Sequence, residues 1–355
     1  MRASIPDLLA PFPQAHLSSG ANSSSGATPV RLLKNLSKQL DGPDIYIKRD
    51  DFTEILFGGN KIRQLEFYLG EAQKQGADTV LITGAVQSNF VRSAASSAAI
   101  LGMDCHIQLE ERVPDVTDTH RISGNVLLDQ LLGATMHSYP TGEDEAGADR
   151  RLHQIADDLK QHGKNPYIIP LSPGHKPLGA LGYVKAADEL CNQIAAQNMR
   201  PFDEIVVASG SGATHGGLIT GLRLRGDQTK VLGVCVRRKA SEQTPRILAR
   251  AQEVCDLLGT TNPVQNSDIH IVDNTLSPGY GQLNDQAFNA IKLSAKYEGI
   301  FLDPVYTSKV MAALISRVTS GVYKKTDRIL FIHTGGQAAL FAYQPELQQR
   351  LDADT

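Results

Sequence analysis

The sequence predicts an α/β fold built on parallel sheets, and two patterns indicate it. Short apolar runs rich in Val and Ile alternate with longer helical patterns, and these runs stay apolar on both faces instead of alternating with polar residues. Strands that are apolar on both faces are typical of parallel sheets covered by helices on each side. The predicted strands are 45–47, 79–83, 105–109, 167–170, 204–208, 230–234 and 328–332.

Helical patterns occupy the intervals between these strands. Several of them end at glycine, as helices commonly do. The small polar stretch 17–26 is typical of a loop or a loosely held arm. The clearest helical segments are 61–75, 89–101, 178–198, 216–224 and 282–297.

Length and composition limit the classes of function. The 355 residues, 41% of them hydrophobic, can form two lobes, although no linker composition marks a boundary. With 35 basic and 38 acidic residues, a net charge of −3 and no basic stripe, the chain is not expected to bind nucleic acid or an anionic membrane. We expect its partner to be a small molecule or another copy of itself.

The cysteines and the apolar runs predict a cytoplasmic protein without metal. Cys105, Cys191, Cys235 and Cys255 have neither zinc-ligand spacing nor the pattern of a disulfide framework. The chain start has no signal-peptide core, and no stretch reaches the roughly 18 apolar residues that a membrane helix needs. We therefore predict reduced thiols, no metal site and no membrane span.

A glycine-rich loop after strand 204–208 is a candidate anion site. Residues 209–217 lead from the strand into a helix, so the N–H groups of Ser211, Gly212, Ala213 and Thr214 would meet the positive end of the helix dipole. Glycines also serve tight turns for steric reasons alone, so this loop by itself is weak evidence. Its spacing does not match the dinucleotide or Walker motifs.

A second helix start offers a place for a carboxylate. Ser88 and Asn89 follow strand 79–83 and bring a hydroxyl and an amide to the first turn of the next helix. The simpler interpretation is that one of them only caps that helix. Two possible anion sites in one α/β chain nevertheless favour an anionic cofactor together with an anionic substrate.

Lys61 is the candidate for covalent chemistry. It follows Gly58, Gly59 and Asn60 at the start of a helical pattern. Most lysines are solvated surface charges, and a lysine that forms a Schiff base needs a desolvated pocket that lowers its pKa. Lys61 taken alone would therefore be interpreted as a surface residue.

Taken together, segments along nearly the whole chain resemble the fold-type II pyridoxal-phosphate enzymes. Within these, the resemblance is to the group that contains D-cysteine desulfhydrase and 1-aminocyclopropane-1-carboxylate deaminase. Several such segments in the same order are far more specific than any one of them. The matching segments are 28–29, 46–51, 58–61, 87–89, 210–214, 278–281, 302–307 and 331–336.

The resemblance implies a site around pyridoxal 5'-phosphate. Lys61 would carry the cofactor as a Schiff base, Thr307 would lie against the pyridine nitrogen, and Ser88, Tyr280 and Tyr306 would take part in catalysis. The further residues implied to bind the cofactor are Asn60, Asn89, Ser211, Gly212, Ala213, Thr214 and Thr334, and those implied to bind the substrate are Gln87, Ser88, Asn89, Phe90 and Tyr280.

The resemblance also implies a two-domain, tryptophan-synthase-β-like architecture. A large cofactor-binding domain would comprise residues 1–63 and 176–355, and a small domain of residues 64–175 would close over the active site. A homodimer is expected on the same basis.

The residue at position 307 separates the two best-matching activities. Cyclopropane-carboxylate deaminases have a glutamate there, which keeps the pyridine ring protonated and a strong electron sink. The neutral Thr307 would leave the pyridine nitrogen less protonated, so the ring would stabilise a carbanion less. Weaker stabilisation of the carbanion favours rapid loss of a β-substituent. The resemblance therefore predicts β-elimination from D-cysteine to give pyruvate, hydrogen sulfide and ammonia.

Three departures from the family pattern leave the leaving group open. Gln64 stands where relatives have a lysine near the phosphate, and Phe90 replaces a polar residue beside the substrate. The loop 171–176 carries His175 and Lys176, and 237–239 is Arg-Arg-Lys. These cations would suit a sulfonate, although an exposed variable turn is the favoured interpretation of His175 and Lys176.

The alternatives to D-cysteine desulfhydration follow from these departures. The first is an L-cysteate sulfo-lyase, which would expel sulfite. The others are a 1-aminocyclopropane-1-carboxylate deaminase and a non-catalytic amino-acid-binding homologue. A binding protein would have no need of Lys61, which argues against the last of these.

Overall fold

A computed structural model describes residues 3–17, 27–53, 55–142, 144–171 and 174–353. Apart from Leu17, the loop predicted at 17–26 lies outside the described residues. The strands in the described part are β1 Val30–Leu32, β2 Asp44–Lys48, β3 Thr79–Ala85, β4 Asp104–Glu110, β5 Thr135–Tyr139, β6 Pro166–Ile169, β7 Glu204–Ser209, β8 Lys230–Cys235, β9 Ile269–Val272 and β10 Arg328–Ile332.

Helices separate most of these strands. The predicted segments correspond to α3, α4, α8, α9 and α11, with ends that differ from the prediction by at most three residues. The helices are α1 Ile5–Leu9, α2 Lys34–Leu40, α3 Asn60–Lys74, α4 Asn89–Leu101, α5 Asp118–Ile122, α6 Asn125–Leu131, α7 Glu145–Gln161, α8 Leu178–Ala196, α9 Ala213–Leu224, α10 Ala240–Leu258, α11 Asp285–Glu298, α12 Thr307–Thr319, α13 Ala339–Ala342 and α14 Gln344–Ala353.

The strands form two sheets that are almost entirely parallel. The six-stranded sheet has the order β1-β2-β10-β7-β8-β9, and the four-stranded sheet has the order β5-β4-β3-β6. Only the β1–β2 pair is antiparallel among the described pairings. The predicted α/β fold class is confirmed.

Three strands escaped the sequence prediction, namely β1, β5 and β9. Each lies at the edge of its sheet, where a strand has one neighbour instead of two. None of their residues is fully buried. Edge strands need no continuous apolar run, so the pattern that revealed the central strands is missing from them.

The predicted division into two domains stays a prediction. The strands of the four-stranded sheet come from residues 79–169, inside the proposed small domain. Helix α3 runs through the proposed boundary between 63 and 64.

No helix in the described ranges is both long enough and apolar enough to pass through a bilayer.

Candidate active site

A cavity forms where the carboxyl ends of β3, β7 and β8 meet the start of α3. It encloses about 920 Å³ of empty space, its open mouth included. Clefts at the carboxyl ends of parallel strands commonly hold ligands. Of the fourteen residues predicted for the site, the eleven that line the cavity are Asn60, Lys61, Ser88, Asn89, Phe90, Ser211, Gly212, Thr214, Tyr280, Tyr306 and Thr334.

Lys61 lies in this cavity, at the second residue of α3. Its Nζ is 5.0 Å from the centre of the Phe90 ring. Burial lowers the pKa of the Lys61 amine to about 8. Lys61 is therefore not a solvated surface charge, and much more of its amine is neutral at physiological pH than for an ordinary lysine.

The loop before α3 has an unusual backbone that fixes the position of this lysine. Residues 56–58 all have positive φ angles, of 30°, 62° and 55°. At Gly58 a Cβ atom would lie only 2.1 Å from the Asp51 carbonyl oxygen, so only glycine fits there. The N–H of Asn60 then donates to the Thr334 carbonyl at 3.0 Å, which ties α3 to the end of β10.

A buried ionic network holds the first turn of α3 from below. Arg63 donates to Asp50 at 3.0 Å and to both oxygens of Glu189 at 2.8 and 2.9 Å. Lys48 donates to Glu189 at 2.5 Å. Burial opposes ionisation of Asp50, but the charges of Arg63 and Lys48 hold the pKa of its carboxyl below the usual value. Segment 46–51, one of the segments that match the family, thus supports α3 through Lys48 and Asp50. It lines no part of the cavity.

The start of α9 forms an anion cradle. Thr214 Oγ1 accepts hydrogen bonds from Asn60 Nδ2 at 2.8 Å and from Gln64 Nε2 at 2.9 Å. Because both lone pairs of this hydroxyl are occupied, its own proton is left to donate to a third partner. The preceding Gly212 has a φ of 96°, which turns the chain into the helix. Gln64, in place of a lysine, therefore orients the cradle without adding charge.

Ser88 and Asn89 start α4 on the other side of the cavity. The Ser88 hydroxyl accepts from the Val91 N–H at 3.3 Å, so it caps the helix as the simpler interpretation held. Asn89 Oδ1 accepts from Asn125 Nδ2 at 2.9 Å. Both residues also line the cavity, so capping and ligand binding are compatible here.

Two tyrosines form a hydrogen-bonded pair at the cavity wall. The hydroxyls of Tyr280 and Tyr306 are 2.7 Å apart. Burial raises the pKa of both phenols, with Arg112 opposing this for Tyr280. Both hydroxyls therefore keep their protons at neutral pH and can donate them.

Three of the predicted residues, Gln87, Ala213 and Thr307, do not line the cavity. The Gln87 amide points to α5, where Nε2 donates to the His120 carbonyl at 2.6 Å. The Thr307 hydroxyl donates to Asp303 Oδ1 at 2.6 Å. Their roles toward substrate and cofactor stay predictions.

The cavity also contains charged residues that the sequence did not reveal, Arg112, Arg246 and Glu145. Arg237, part of the basic run noted in the sequence, lines it as well. Arg112 and Arg237 each lie two residues beyond the carboxyl end of a strand, a position that could have signalled them. Glu145 and Arg246 are on the long helices α7 and α10, where nothing local distinguishes them.

The arginines in and near the cavity pair with carboxylates and with backbone among the described residues. Arg112 forms two hydrogen bonds with Glu110, at 2.8 and 2.9 Å. Glu145 Oε1 is 3.0 Å from Arg237 and 2.5 Å from Arg238. Nε of Arg246 donates to a backbone carbonyl of the cradle loop at 3.1 Å. Among the described residues, three of these guanidinium groups thus contact Glu110 or Glu145 at one side of the cavity.

The loop cations His175 and Lys176 are absent from the cavity lining. His175 is 43% exposed and lies 3.9 Å from Asp149. This position fits the interpretation of an exposed turn. Within the described residues, no group of three or more potential metal ligands occurs.

The fold and the cavity define a pyridoxal-phosphate enzyme. Residues 22–335 match the family described as pyridoxal-phosphate dependent enzymes. Because this match spans most of the chain, the protein belongs to that family, and the predicted fold, enzyme class and cofactor are confirmed.

Within this family the chain is similar to D-cysteine desulfhydrases. It is 42% identical to the D-cysteine desulfhydrase of Salmonella choleraesuis (strain SC-B67) over 90% of this chain and 94% of the relative. A solved structure described as an ACC deaminase homologue is 36% identical, covers 98% of this chain and 99% of its own, and has a TM-score of 0.84. A fungal L-serine ammonia-lyase from Rhizomucor miehei, 16% identical with a TM-score of 0.62, covers 91% of this chain and 98% of its own and shares the fold.

The cavity fits pyridoxal phosphate. An amine of lowered pKa suits the aldehyde, and the start of α9 suits the phosphate, since the Thr214 proton and the helix dipole both favour an anion there. Gly212 and the small residues before it keep side chains out of the cradle.

Proposed function

We propose that the protein is a carbon–sulfur lyase that converts D-cysteine and water to pyruvate, hydrogen sulfide and ammonia. The observation that carries this proposal is the 42% identity to a D-cysteine desulfhydrase over 90% of the chain. The neutral hydroxyl of Thr307 supports it, because its proton is held by Asp303 and it offers no charge like that of a glutamate.

The residues of the cavity divide the work of this reaction. Bound pyridoxal phosphate supplies an electron sink next to the Cα atom of the substrate. Ser88 and Asn89 bind the substrate carboxylate at the start of α4, and the Phe90 ring keeps water away from the amine of Lys61. That amine, with its pKa lowered to about 8, removes the proton from Cα.

The tyrosine pair delivers a proton to the leaving sulfur. Both phenols are half-buried and protonated, and their hydroxyls are 2.7 Å apart. One of them can therefore donate to the substrate while the other replaces the proton. A substrate sulfur that takes up this proton departs as neutral hydrogen sulfide, which leaves more readily than an anion does.

The test is an assay of product formation by the purified holoenzyme. D-cysteine, L-cysteine, L-cysteate and 1-aminocyclopropane-1-carboxylate are offered in parallel, and oxo acid, sulfide and sulfite are measured. We expect pyruvate and sulfide from D-cysteine. Lys61→Ala should abolish activity, and Lys74→Ala, an exposed lysine on the same helix, should retain it. Oxo acid from none of the four substrates would favour the non-catalytic binding homologue.

The cavity arginines support a second candidate, an L-cysteate sulfo-lyase. A sulfonate is an anion, and Arg112, Arg237 and Arg246 line the cavity. Glu145 offsets part of this charge through Arg237 and Arg238. Pyruvate and sulfite from L-cysteate, without sulfide from D-cysteine, would select this activity. Glu145→Gln should shift the kcat/KM ratio toward L-cysteate at least several-fold.

Two further properties are proposed with the function. We expect a homodimer, which sedimentation of the purified protein will test, and a cytoplasmic location, which fractionation of the source cells will test. Either result leaves the assignment of the chemistry unchanged.

A further inference from the structure

Asn125, at the start of α6, joins three residues of the segment that carries Ser88 and Asn89. It is completely buried. Its backbone N–H donates to Gln87 Oε1 at 2.9 Å, and its Nδ2 donates to the Gln87 carbonyl at 3.0 Å and to Asn89 Oδ1 at 2.9 Å. Its Oδ1 accepts from Arg92 Nε at 3.2 Å. Every polar atom of this side chain is therefore engaged.

The partners of Asn125 allow only one orientation of its amide. A guanidinium nitrogen can only donate, so the amide atom that faces Arg92 must be the oxygen. A backbone carbonyl can only accept, so the atom that faces the Gln87 carbonyl must be the NH₂ group. Burial lowers the pKa of Arg92 only to about 10, so it stays a charged donor at neutral pH.

This orientation fixes the amide of Asn89 in turn. Because Asn125 presents its NH₂ group, the atom of Asn89 that faces it must be the oxygen. The NH₂ group of Asn89, a residue of the cavity wall, is then left for a ligand, and it has no acceptor among the described residues. Two N–H donors suit a carboxylate, whereas the oxygen would repel it.

We propose that Asn125, held by Arg92, is a positioning residue that keeps the Asn89 NH₂ group turned into the cavity to bind the carboxylate of the substrate. This inference rests on the proposed function only in that the ligand is an amino acid. It assigns a role to two buried residues that do not touch the ligand themselves.

Asn125→Asp tests the orientation with almost no change of shape. A carboxylate still accepts from Arg92 but cannot donate to Asn89, so the Asn89 amide should turn and present its oxygen to the cavity. Asn125→Leu removes the donor without adding charge and leaves the Asn89 amide free to turn. Gln130→Glu makes the same amide-to-carboxylate change at an exposed position of α6 and serves as the control.

The readout is binding of D- and L-alanine and of ethylamine to the holoenzyme, followed by the absorbance of the bound cofactor. Alanine has no leaving group, so the result does not depend on which elimination the enzyme performs. We expect Asn125→Asp to raise the Kd of alanine about tenfold or more, Asn125→Leu to raise it less, and Gln130→Glu to leave it unchanged. Ethylamine, which lacks the carboxylate, should bind all four proteins alike.

Three outcomes would overturn the role of Asn125. An equal loss of alanine and ethylamine binding would mean that the residue is merely structural. A loss confined to Asn125→Asp would mean that charge repulsion, not amide orientation, is responsible. Unchanged alanine binding in both variants would exclude the role directly. A wild-type enzyme that binds ethylamine but neither alanine would contradict the amino-acid substrate itself, which separates that failure from the other three.

Discussion

The apoenzyme should capture pyridoxal phosphate with a pH dependence set by Lys61. An ordinary lysine has a pKa of 10.5, and burial lowers that of Lys61 to about 8. At pH 7 the neutral, reactive fraction of the amine is then about 300-fold larger than for an ordinary lysine. The rate of covalent capture should therefore rise about tenfold per pH unit up to pH 7 and level off above pH 8.

The assay mixes apoenzyme with excess cofactor from pH 6 to pH 9.5 and follows the absorbance of the lysine-bound form. A small lysine analogue in the same buffers corrects for titration of the cofactor. Lys61→Ala should give no such absorbance, and Lys74→Ala should give the wild-type curve. A corrected rate that keeps rising to pH 9.5 without levelling would refute the argument that burial tunes this amine.

Three further predictions concern the cradle, the loop and the buried charges. Gln64→Leu should weaken cofactor binding about fivefold in an equilibrium titration, since one donor to the cradle hydroxyl is lost; unchanged affinity would contradict that role. Gly58→Ala should lower the Tm far more than Gly102→Ala does. Both glycines have positive φ angles, but only at Gly58 would a Cβ atom clash with backbone. Equal decreases in Tm would mean that the clash is relieved. Burial raises the pKa of the Asp129 carboxyl to about 8 despite the charge of Arg92. The folded chain therefore holds the carboxyl proton of Asp129 more tightly than the unfolded chain does. The free energy of unfolding consequently falls as the pH rises from about 4 to 8. Asp129→Asn should thus raise the free energy of unfolding by more than about 2 kcal/mol at pH 9 and by little at pH 4; an equal gain at both pH values would rule out the ionisation.

Local pattern was enough to predict the central framework. Apolar runs identified β3, β7 and β10 because strands buried on both faces need apolar side chains throughout. Helices α3 and α4 were found because a helical pattern lies between two apolar runs in the sequence. Three of the four edge strands were missed because partly exposed residues carry no such signal, whereas the edge strand β6 keeps an apolar run and was predicted.

The candidate site was predictable only in part, for a similar reason. The residues at the starts of α3, α4 and α9 belong to short segments, so their own sequence marked them. Arg246 lies within α10 and Glu145 begins α7, and both reach the cavity only through the packing of these helices. Asn125 was missed because its proposed positioning role depends on which of its atoms donate and which accept hydrogen bonds, and the sequence does not show this.

The sequence by itself determined the fold class, the family and the identity of the candidate lysine, because these depend on periodicity and on ordered short motifs. The tertiary structure decided that the Lys61 amine lies desolvated in the cavity, that Gln64 orients the cradle, and that Gln87 and Thr307 point to other partners. Desolvation and hydrogen-bond direction arise only when distant segments meet, and they have no local signature in the chain.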